Sequence, residues 1–322
     1  MKDYTLNRGD EIRVIAPSAS LKEKLSPSNK RAIKRLEKLG YKITFSKNCH
    51  KKDEFLSTAK AKDRAEDINT AIKDKNVKAI LAAKGGWSSN DLLTLIDWQT
   101  LKENKKPIIG FSDITALLNA SYQITKTVNI LGPTFSTIGK NADYKYTLNS
   151  LNALLTTKEA ITIQKSKNTY EYHEAPRKTP SYKVIKHGKA EGILLGGNIG
   201  TFFLLQGTKF QPDFHEPFIF AFEDDNESGK YTFYESIRKL ESLLQLPGFK
   251  ENLAGMIIGR YQKSTKISKN KVEKMINDKI EKNIPILYGL DFGHTLPLLS
   301  LPIGGKVRID TSNYRKYLTI NL

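Results

Sequence analysis

Apolar positions in the first half of the chain follow two alternating patterns. Short continuous apolar runs are typical of buried parallel strands, and apolar residues spaced three or four positions apart are typical of helices. The predicted strands are 11–16, 41–45, 77–83 and 107–111. The predicted helices are 28–39, 63–73, one that begins over 91–95, and 114–122. Strands that alternate with helices of this length predict βαβ units and a parallel sheet.

The second half of the chain has a mixed pattern. Residues 158–189 are polar and rich in Lys, Thr and Tyr, which indicates a linker or the first strands of a second domain. Further along, residues 231–244 have the spacing of an amphipathic helix. The apolar runs are 193–195, 218–222 and 256–258, and the alternating segments that predict a hairpin are 306–309 and 317–320. The predicted division is an N-terminal α/β domain over 1–157, a connecting region over 158–189 and a C-terminal domain over 190–322.

The charge of the chain is strongly basic. Its 322 residues include 52 Lys and Arg against 34 Asp and Glu, a net charge of +18. Such a charge can bind nucleic acid or another polyanion by releasing counterions. The lysines are scattered, however, with no long block and no stripe interleaved with aromatic residues, which favours a solvated surface over a nucleic-acid partner. A non-catalytic basic protein that binds a polyanion is the alternative interpretation.

The sequence predicts no targeting segment. No apolar run reaches the length needed for a signal peptide or a membrane span. We therefore expect a cytoplasmic protein with no membrane partner. The single cysteine, Cys49, leaves no possibility of an internal disulfide, and its surroundings do not indicate an activated thiol.

Ser112 lies where the predicted strand 107–111 runs through a small turn into the next helix. A serine on such a bend faces the end of a parallel strand, next to the free N–H groups of the helix N-terminus. This favours a nucleophile, although the GxSxG pattern is absent. Either Ser112 or Asp113 could instead cap the helix, since both are preferred cap residues.

A glycine pair, Gly85 and Gly86, separates the strand 77–83 from the next helical segment. Glycines let backbone N–H groups approach a ligand closely, so the pair could form an oxyanion or anion cradle. The alternative is a tight turn. No dinucleotide-binding or P-loop motif is present. The adjacent Trp87 could pack against a substrate or belong to the core.

His294 and Glu223 are the candidates for a base and its orienting acid. His294 follows an apolar strand and stands between Gly293 and Pro297, a position that presents the side chain, although it could be an ordinary turn histidine. Glu223 opens an acidic run directly after the apolar run 218–222. A carboxylate there can orient an imidazole. The acidic run could also be a solvated cluster or suit a divalent metal, although no ligand histidine stands near it in the sequence.

Together and in this order, these segments resemble the family of LD-carboxypeptidases and microcin C self-immunity serine peptidases. The resemblance covers nearly the whole chain. The segments that carry it are 9–10, 15–18, 85–86, 89–93, 110–117, 132–133, 196–198, 222–225, 246–249, 255–260 and 291–295. The most specific are SDITAL from Ser112 and FGHT around His294.

The resemblance implies a fold and an assembly. The fold is an N-terminal flavodoxin-like or amidotransferase-like α/β domain plus a smaller C-terminal α+β domain with a β-sheet or barrel core. The active site would lie between the two domains. The resemblance also implies a homodimer, and it implies catalysis without a metal or an organic cofactor.

The resemblance also assigns roles to residues. Ser112 matches the nucleophile, His294 the general base and Glu223 the orienting acid. The backbone N–H groups of Gly86 and Asp113 would form the oxyanion hole. The reaction would be hydrolysis of an amide near a carboxyl end, through an acyl-enzyme.

Two substrate classes stay open. One is a muropeptide with an L-to-D bond, and the other is a peptidyl or aminoacyl nucleotide of the microcin C type. Muropeptide-cleaving members often read Arg-Gly-Gly-Tyr-Gly where this chain has Lys-Gly-Gly-Trp-Ser over 84–88. We predict substrate contacts from Trp87, which could stack on a base, and from Asn198.

Overall fold

The computed structural model describes residues 2, 4–53, 57–171, 175–225, 228–313 and 316–321. The strands of this part are β1 (Glu11–Ile15), β2 (Lys42–Phe45), β3 (Val77–Ala82), β4 (Ile108–Gly110), β5 (Asn129–Leu131), β6 (Ile161–Thr162), β7 (Asn168–Thr169), β8 (Arg177–Lys178), β9 (Lys183–Lys186), β10 (Lys189–Asn198), β11 (Phe218–Glu223), β12 (Leu253–Gly259), β13 (Ile286–Leu290), β14 (Leu301–Ile303), β15 (Lys306–Asp310) and β16 (Leu318–Asn321).

The α-helices are α1 (Pro27–Leu39), α2 (Ala61–Lys73), α3 (Trp98–Asn104), α4 (Thr115–Thr125), α5 (Phe135–Ile138), α6 (Tyr144–Thr156), α7 (Ile199–Phe203), α8 (Thr232–Leu244), α9 (Phe249–Asn252) and α10 (Lys269–Lys279). Short 3₁₀ helices cover Ser89–Leu92, Ser112–Ile114, Gly229–Tyr231 and Lys263–Thr265. None of the helices in this part of the chain is long and apolar enough to cross a membrane.

The first sheet has the strand order β14-β5-β4-β3-β1-β2. The pairs from β5 to β2 are all parallel, and β14 runs antiparallel to β5 at the edge. The apolar runs form its central strands because side chains on both faces are buried there. The predicted α/β architecture around a parallel sheet is confirmed.

The second sheet has the order β6-β16-β15-β10-β11-β12-β13-β9. Its centre, from β10 to β13, is parallel, and the flanking strands are antiparallel. The predicted C-terminal hairpin is confirmed as β15 and β16, which pair from Lys306 opposite Asn321 to Ile309 opposite Leu318. The second unit is therefore a mixed sheet with helices, in agreement with the predicted α+β class.

The connecting region contributes strands to the second sheet. β6 pairs with β16 at one edge, and β9 pairs with β13 at the other. β7 and β8 form a separate two-stranded hairpin. Conversely, β14 lies far along the chain but belongs to the first sheet. The predicted bounds of the two domains stay a prediction.

The predicted helix that begins over 91–95 is wrong. A 3₁₀ helix over Ser89–Leu92 stands there, and the α-helix begins only at Trp98, where the Asp97 side chain accepts a hydrogen bond from the backbone N–H of Thr100 at 3.1 Å. The turn that precedes this 3₁₀ helix is stabilised by a distant residue, because the backbone N–H groups of Ser88 and Ser89 donate to the Asp113 carboxylate. This long-range bond favours a tight turn over a helix.

Helix α4 joins the two sheets. It packs behind the first sheet, and its Asn119 side chain donates to the Gly196 carbonyl at 2.8 Å and accepts from the Gly196 N–H at 3.0 Å. The Thr115 hydroxyl accepts from the backbone N–H of Asn198 at 3.0 Å. Since Ser112 stands just before α4, these bonds hold the Ser112 turn against the end of β10.

Candidate active site

Residues that could do chemistry gather at the carboxyl ends of parallel strands from both sheets. In the first sheet, the turns after β3 and β4 carry Gly86 and Ser112. In the second sheet, β11 ends with Glu223, and His294 follows β13. Carboxyl ends of neighbouring parallel strands lie at one edge, which is where α/β proteins place ligands.

Ser112 stands in a strained turn. Its φ is 61°, in the left-handed region that non-glycine residues rarely adopt. The turn is possible because Gly85 has no side chain: a Cβ there would lie 3.1 Å from the Ser112 Cβ and 3.2 Å from its Oγ. Local strain of this kind is typical of functional turns, and it projects the hydroxyl into the cleft.

Asp113 ties the two turns of the first sheet together. Its Oδ2 accepts hydrogen bonds from the backbone N–H groups of Ser88 at 3.0 Å and Ser89 at 2.9 Å. The Ser89 hydroxyl in turn donates to the Asp113 carbonyl at 2.5 Å. The carboxylate therefore reaches across to the glycine turn, and within the described residues it does not cap the helix that follows it.

Gly86 occupies a conformation that requires glycine. Its φ is +152°, and a Cβ would lie 2.3 Å from the buried Ser18 hydroxyl oxygen. Among the described residues, neither Gly86 nor Asp113 donates a backbone hydrogen bond to a carbonyl outside its own element. Asp113 follows Ser112 directly, and Gly86 lines the same cleft as Ser112. Their role as oxyanion donors stays a prediction.

The side chains of Ser112, His294 and Glu223 form one hydrogen-bonded row. His294 Nε2 lies 3.0 Å from Ser112 Oγ, and His294 Nδ1 lies 2.8 Å from Glu223 Oε2. Glu223 is 2% exposed. Gly293 permits this contact, since a Cβ at that position would lie 2.7 Å from Glu223 Oε2. The structure thus brings the three residues together in the order acid, imidazole, hydroxyl.

Asn198 lies behind Glu223. It pairs with Glu223 in the register of β10 and β11, and its Nδ2 donates to Glu223 Oε1 at 3.2 Å. Its Oδ1 accepts from the backbone N–H of Thr201 and so caps α7. The side chain is buried and bonded at both ends, a position that fixes the second carboxylate oxygen of Glu223. Its substrate contact stays a prediction.

Three carboxylates surround His294 on one side. Burial alone lowers the pKa of His294, but the charge and hydrogen bond of Glu223 and the charges of Asp225 and Asp224 outweigh it, so the pKa rises from 6.5 to about 9. Asp225 Oδ2 lies 3.6 Å from His294 Nε2. Burial also raises the pKa of Asp224 to about 6, against the opposing effects of Lys239 and Ser236. The site therefore stabilises an imidazolium.

The loop that carries His294 is fixed by residues that no sequence motif singled out individually. Arg260 forms an ion pair with the fully buried Asp291 at 2.6 Å and donates to the Thr295 hydroxyl at 3.3 Å. Gln262 Nε2 donates to the His294 carbonyl at 3.2 Å. These contacts span about thirty residues of sequence, and the only sequence signal for them was that segments 255–260 and 291–295 belong to the resemblance.

A cleft of about 590 Å³ opens over Ser112 and His294. Its remaining lining residues are Ala19, Lys84, Gly85, Gly86, Trp87, Phe111, Thr134, Ser136, Thr137, Lys140 and Asp225. Trp87 is 73% exposed, so it belongs to the cleft wall and not to the core. Within the described residues, no group of three His, Cys, Asp or Glu side chains is arranged to hold a metal ion.

Comparison with protein families places two matches along the chain. Residues 12–132 match the LD-carboxypeptidase N-terminal domain. Residues 191–309 match the LD-carboxypeptidase C-terminal domain. Together the two matches cover well over half of the sequence.

Individual relatives match over nearly their full length. YocD of Bacillus subtilis (strain 168), a protein named as a carboxypeptidase, is 37% identical over 95% of this chain and 94% of its own. The crystal structure of an MccF-like protein from Bacillus anthracis superimposes with a TM-score of 0.93 at 37% identity and covers 99% of both chains. The microcin C7 self-immunity protein MccF in complex with aspartyl sulfamoyl adenosine has a TM-score of 0.86 at 26% identity over 99% of this chain and 98% of its own.

Proposed function

Because the chain belongs to the LD-carboxypeptidase family, we propose that it is a serine peptidase that hydrolyses an amide near the carboxyl end of its substrate through an acyl-enzyme. The observation that carries this proposal is the hydrogen-bonded row from Ser112 through His294 to Glu223. Nucleophile, base and orienting acid in this order are the arrangement of a Ser-His-acid triad, whatever the fold.

Each residue of the row has a role in the proposed reaction. With Nδ1–H donating to Glu223, Nε2 of the neutral imidazole accepts the Ser112 proton as the hydroxyl attacks the carbonyl carbon. Glu223 holds the ring and stabilises the imidazolium that forms. His294 then donates its proton to the departing nitrogen. Water attacks the acyl-enzyme in a second round that uses the same groups.

The developing oxyanion needs donors that are already in place. The N–H groups of Gly86 and Asp113 flank Ser112, and the side-chain bonds of Asp113 to Ser88 and Ser89 hold the two turns together. Loss of one oxyanion donor typically costs about 3–4 kcal/mol of transition-state stabilisation. We assign the oxyanion hole to these two amides.

The substrate is proposed from two classes, a muropeptide with an L-to-D bond and an aminoacyl or peptidyl nucleotide. The second class is favoured by the related structures of MccF with aspartyl sulfamoyl adenosine and glutamyl sulfamoyl guanosine. The exposed Trp87 ring at the rim of the cleft could stack on a base, as aromatic rings commonly do. The homodimer and the cytoplasmic location also stay predictions, and light scattering tests the former.

The test is hydrolysis by wild type and Ser112→Ala, followed by mass spectrometry. The panel pairs an L,D-tetrapeptide muropeptide with an aminoacyl-sulfamoyl adenosine. Ser112→Ala should fold normally and lose hydrolysis by roughly 10⁴-fold or more, because no nucleophile remains. The active member of the panel identifies the substrate class. Full activity in Ser112→Ala would rule out the proposed nucleophile.

A further inference from the structure

The cleft over Ser112 is lined by charged residues of both signs. Asp225 lies beside His294, 3.6 Å from its Nε2. The cations of the lining are Lys84, which directly precedes the glycine turn, and Lys140. The proposed triad and oxyanion hole use neither lysine, so these two cations have no role in the chemistry described above.

Lys84 is a half-buried cation of the cleft wall. Among the described residues it makes no ion pair and no hydrogen bond, in contrast to Lys239, which pairs with Asp224. Burial, followed by the charges of Lys52, Lys22 and Lys140, lowers the pKa of Lys84. A partly desolvated ammonium among like charges gains most when an anion binds beside it.

Ser136 supplies a hydroxyl at the same place. Its backbone N–H donates to the Ala83 carbonyl at 3.1 Å, which sets α5 against the residue before Lys84. Its Oγ is buried and has no hydrogen-bond partner among the described residues, yet the residue lines the cleft. A buried hydroxyl without a partner is uncommon in a folded protein and points to a ligand atom that completes it.

We propose that Lys84, together with Ser136 and Lys140, forms an anion subsite that binds the negatively charged group next to the scissile amide nitrogen of the substrate. This inference rests on the proposed function. The shared chemistry is an anion close to the departing nitrogen: the α-carboxylate of the departing residue in a peptide, or the sulfamoyl or phosphoryl group in an aminoacyl nucleotide. Gly85 joins the subsite to Ser112, since it directly follows Lys84 and a Cβ built on it would lie 3.2 Å from Ser112 Oγ.

The proposal makes Lys84 a specificity-determining residue. An uncharged substrate end gains nothing from the ammonium, whereas a charged end does. The enzyme should therefore discriminate between a peptide acid and the corresponding peptide amide, and the discrimination should disappear with the ammonium while the triad remains intact.

The first experiment measures binding in the absence of hydrolysis. Ser112→Ala and Ser112→Ala/Lys84→Met are titrated calorimetrically with an L,D-tetrapeptide, with its C-terminal amide, and with an aminoacyl-sulfamoyl adenosine. We expect the charged ligand to bind at least about tenfold more tightly than its neutral counterpart only when Lys84 is present. If Lys84 increases the affinity for the tetrapeptide, the anion that the subsite binds is the carboxylate. If Lys84 increases the affinity for the adenosine compound alone, the anion is the sulfamoyl group. Two outcomes would overturn the subsite. One is that the acid and the amide bind equally well and Lys84→Met does not change the affinity for the adenosine compound. The other is that none of the ligands binds.

The second experiment separates the subsite from the proposed function. With Ser112 intact, kcat/KM for acid and amide substrates is compared in wild type, Lys84→Met, Ser136→Ala and the control Lys102→Met, which removes the same charge from an exposed position on α3. We expect loss for the charged substrate alone in the first two variants. If hydrolysis requires Ser112 but Lys84→Met and Lys102→Met have the same kcat/KM values, the subsite is refuted and the peptidase proposal still holds. Hydrolysis that does not need Ser112 refutes the peptidase proposal.

Discussion

At the scale of single residues, His294 connects geometry with pH. A general base must be neutral to accept the serine proton. Because its pKa is raised from 6.5 to about 9, half of the imidazole is neutral near pH 9 and the neutral fraction still increases above it, so kcat/KM should rise with pH through that value. Glu223→Gln removes the main charge that raises this pKa, so the rising limb should move to lower pH while the maximum rate falls. A pH–rate profile of both proteins measures this.

The same shift has a counterpart in stability. A histidine whose pKa is higher in the folded state stabilises the fold fully below pH 6.5, and this contribution is lost as the pH rises through 9. The free energy of unfolding of wild type and of His294→Asn is measured with urea at pH 6 and at pH 9.5. We expect the difference between the two proteins to be smaller at pH 9.5 than at pH 6. A difference that grows with pH would contradict the assigned direction.

Gly86 is a second residue with a testable requirement. Gly86→Ala combines an unfavourable φ of +152° with a Cβ 2.3 Å from the Ser18 hydroxyl, and the adjustment displaces the proposed oxyanion donor. We expect a loss of roughly 10²-fold in kcat or more. Gly207→Ala is the matched control, because φ is +77° there and nothing lies within 4 Å of the added Cβ. It should cost about 1 kcal/mol in stability and leave kcat unchanged. Similar kcat values for both variants would contradict the assigned role of Gly86.

At the scale of elements, α4 is the helix on which the Ser112 turn depends. Asn119→Ala leaves both the N–H and the carbonyl of Gly196 without a side-chain partner. We expect a loss of about 2–3 kcal/mol in the free energy of unfolding, because buried polar groups are left unsatisfied. Gln123→Ala, on the same helix but with an exposed hydrogen bond to Asp213, should cost under about 1 kcal/mol. Urea denaturation compares the two, and equal costs would show that α4 does not depend on this junction.

The elements also show what a sequence pattern can predict. Strands β1 to β4 and the C-terminal hairpin were predictable, because strands that are buried on one or both faces consist of apolar runs or alternating apolar residues. The other two strands of the first sheet, β5 and β14, are only three residues long and were not predicted. The turn at 89–95 was not predictable, because the bond that sets it comes from Asp113, more than twenty residues away. For the same reason the sequence could nominate Ser112, Glu223 and His294 separately, but it could not give the distances between them.

At the scale of the whole molecule, Asp291 links three regions of the chain. It pairs with Arg260, accepts from the Ser166 hydroxyl at 2.6 Å, and accepts from the hydroxyls of Tyr146 and Tyr182. Sequence patterns predict no such hub, since its partners lie between 31 and 145 residues away. The hub connects helix α6, the connecting region and the loop of His294.

Asp291→Asn should therefore affect both stability and activity. It leaves the Arg260 charge buried without a countercharge, and breaking such a pair typically costs about 3–5 kcal/mol. The His294 loop should loosen at the same time, so kcat should fall. Asp278→Asn, which disrupts an exposed pair with Lys274, is the control and should change the free energy of unfolding by under about 1 kcal/mol. Thermal denaturation and kcat are measured for both variants. An Asp291→Asn protein that is as stable and as active as the control would contradict the stabilising role assigned to Asp291.

The position of β14 has a consequence for the order in which the protein is made. β14 pairs with the outer edge of β5 in the first sheet, and it is synthesised about 170 residues after β5. Until then the outer edge of β5 offers unpaired N–H and carbonyl groups to any other strand. A nascent chain whose first sheet forms before β14 is made is therefore open to mispairing at that edge, and a chain truncated before residue 301 lacks the strand that covers it.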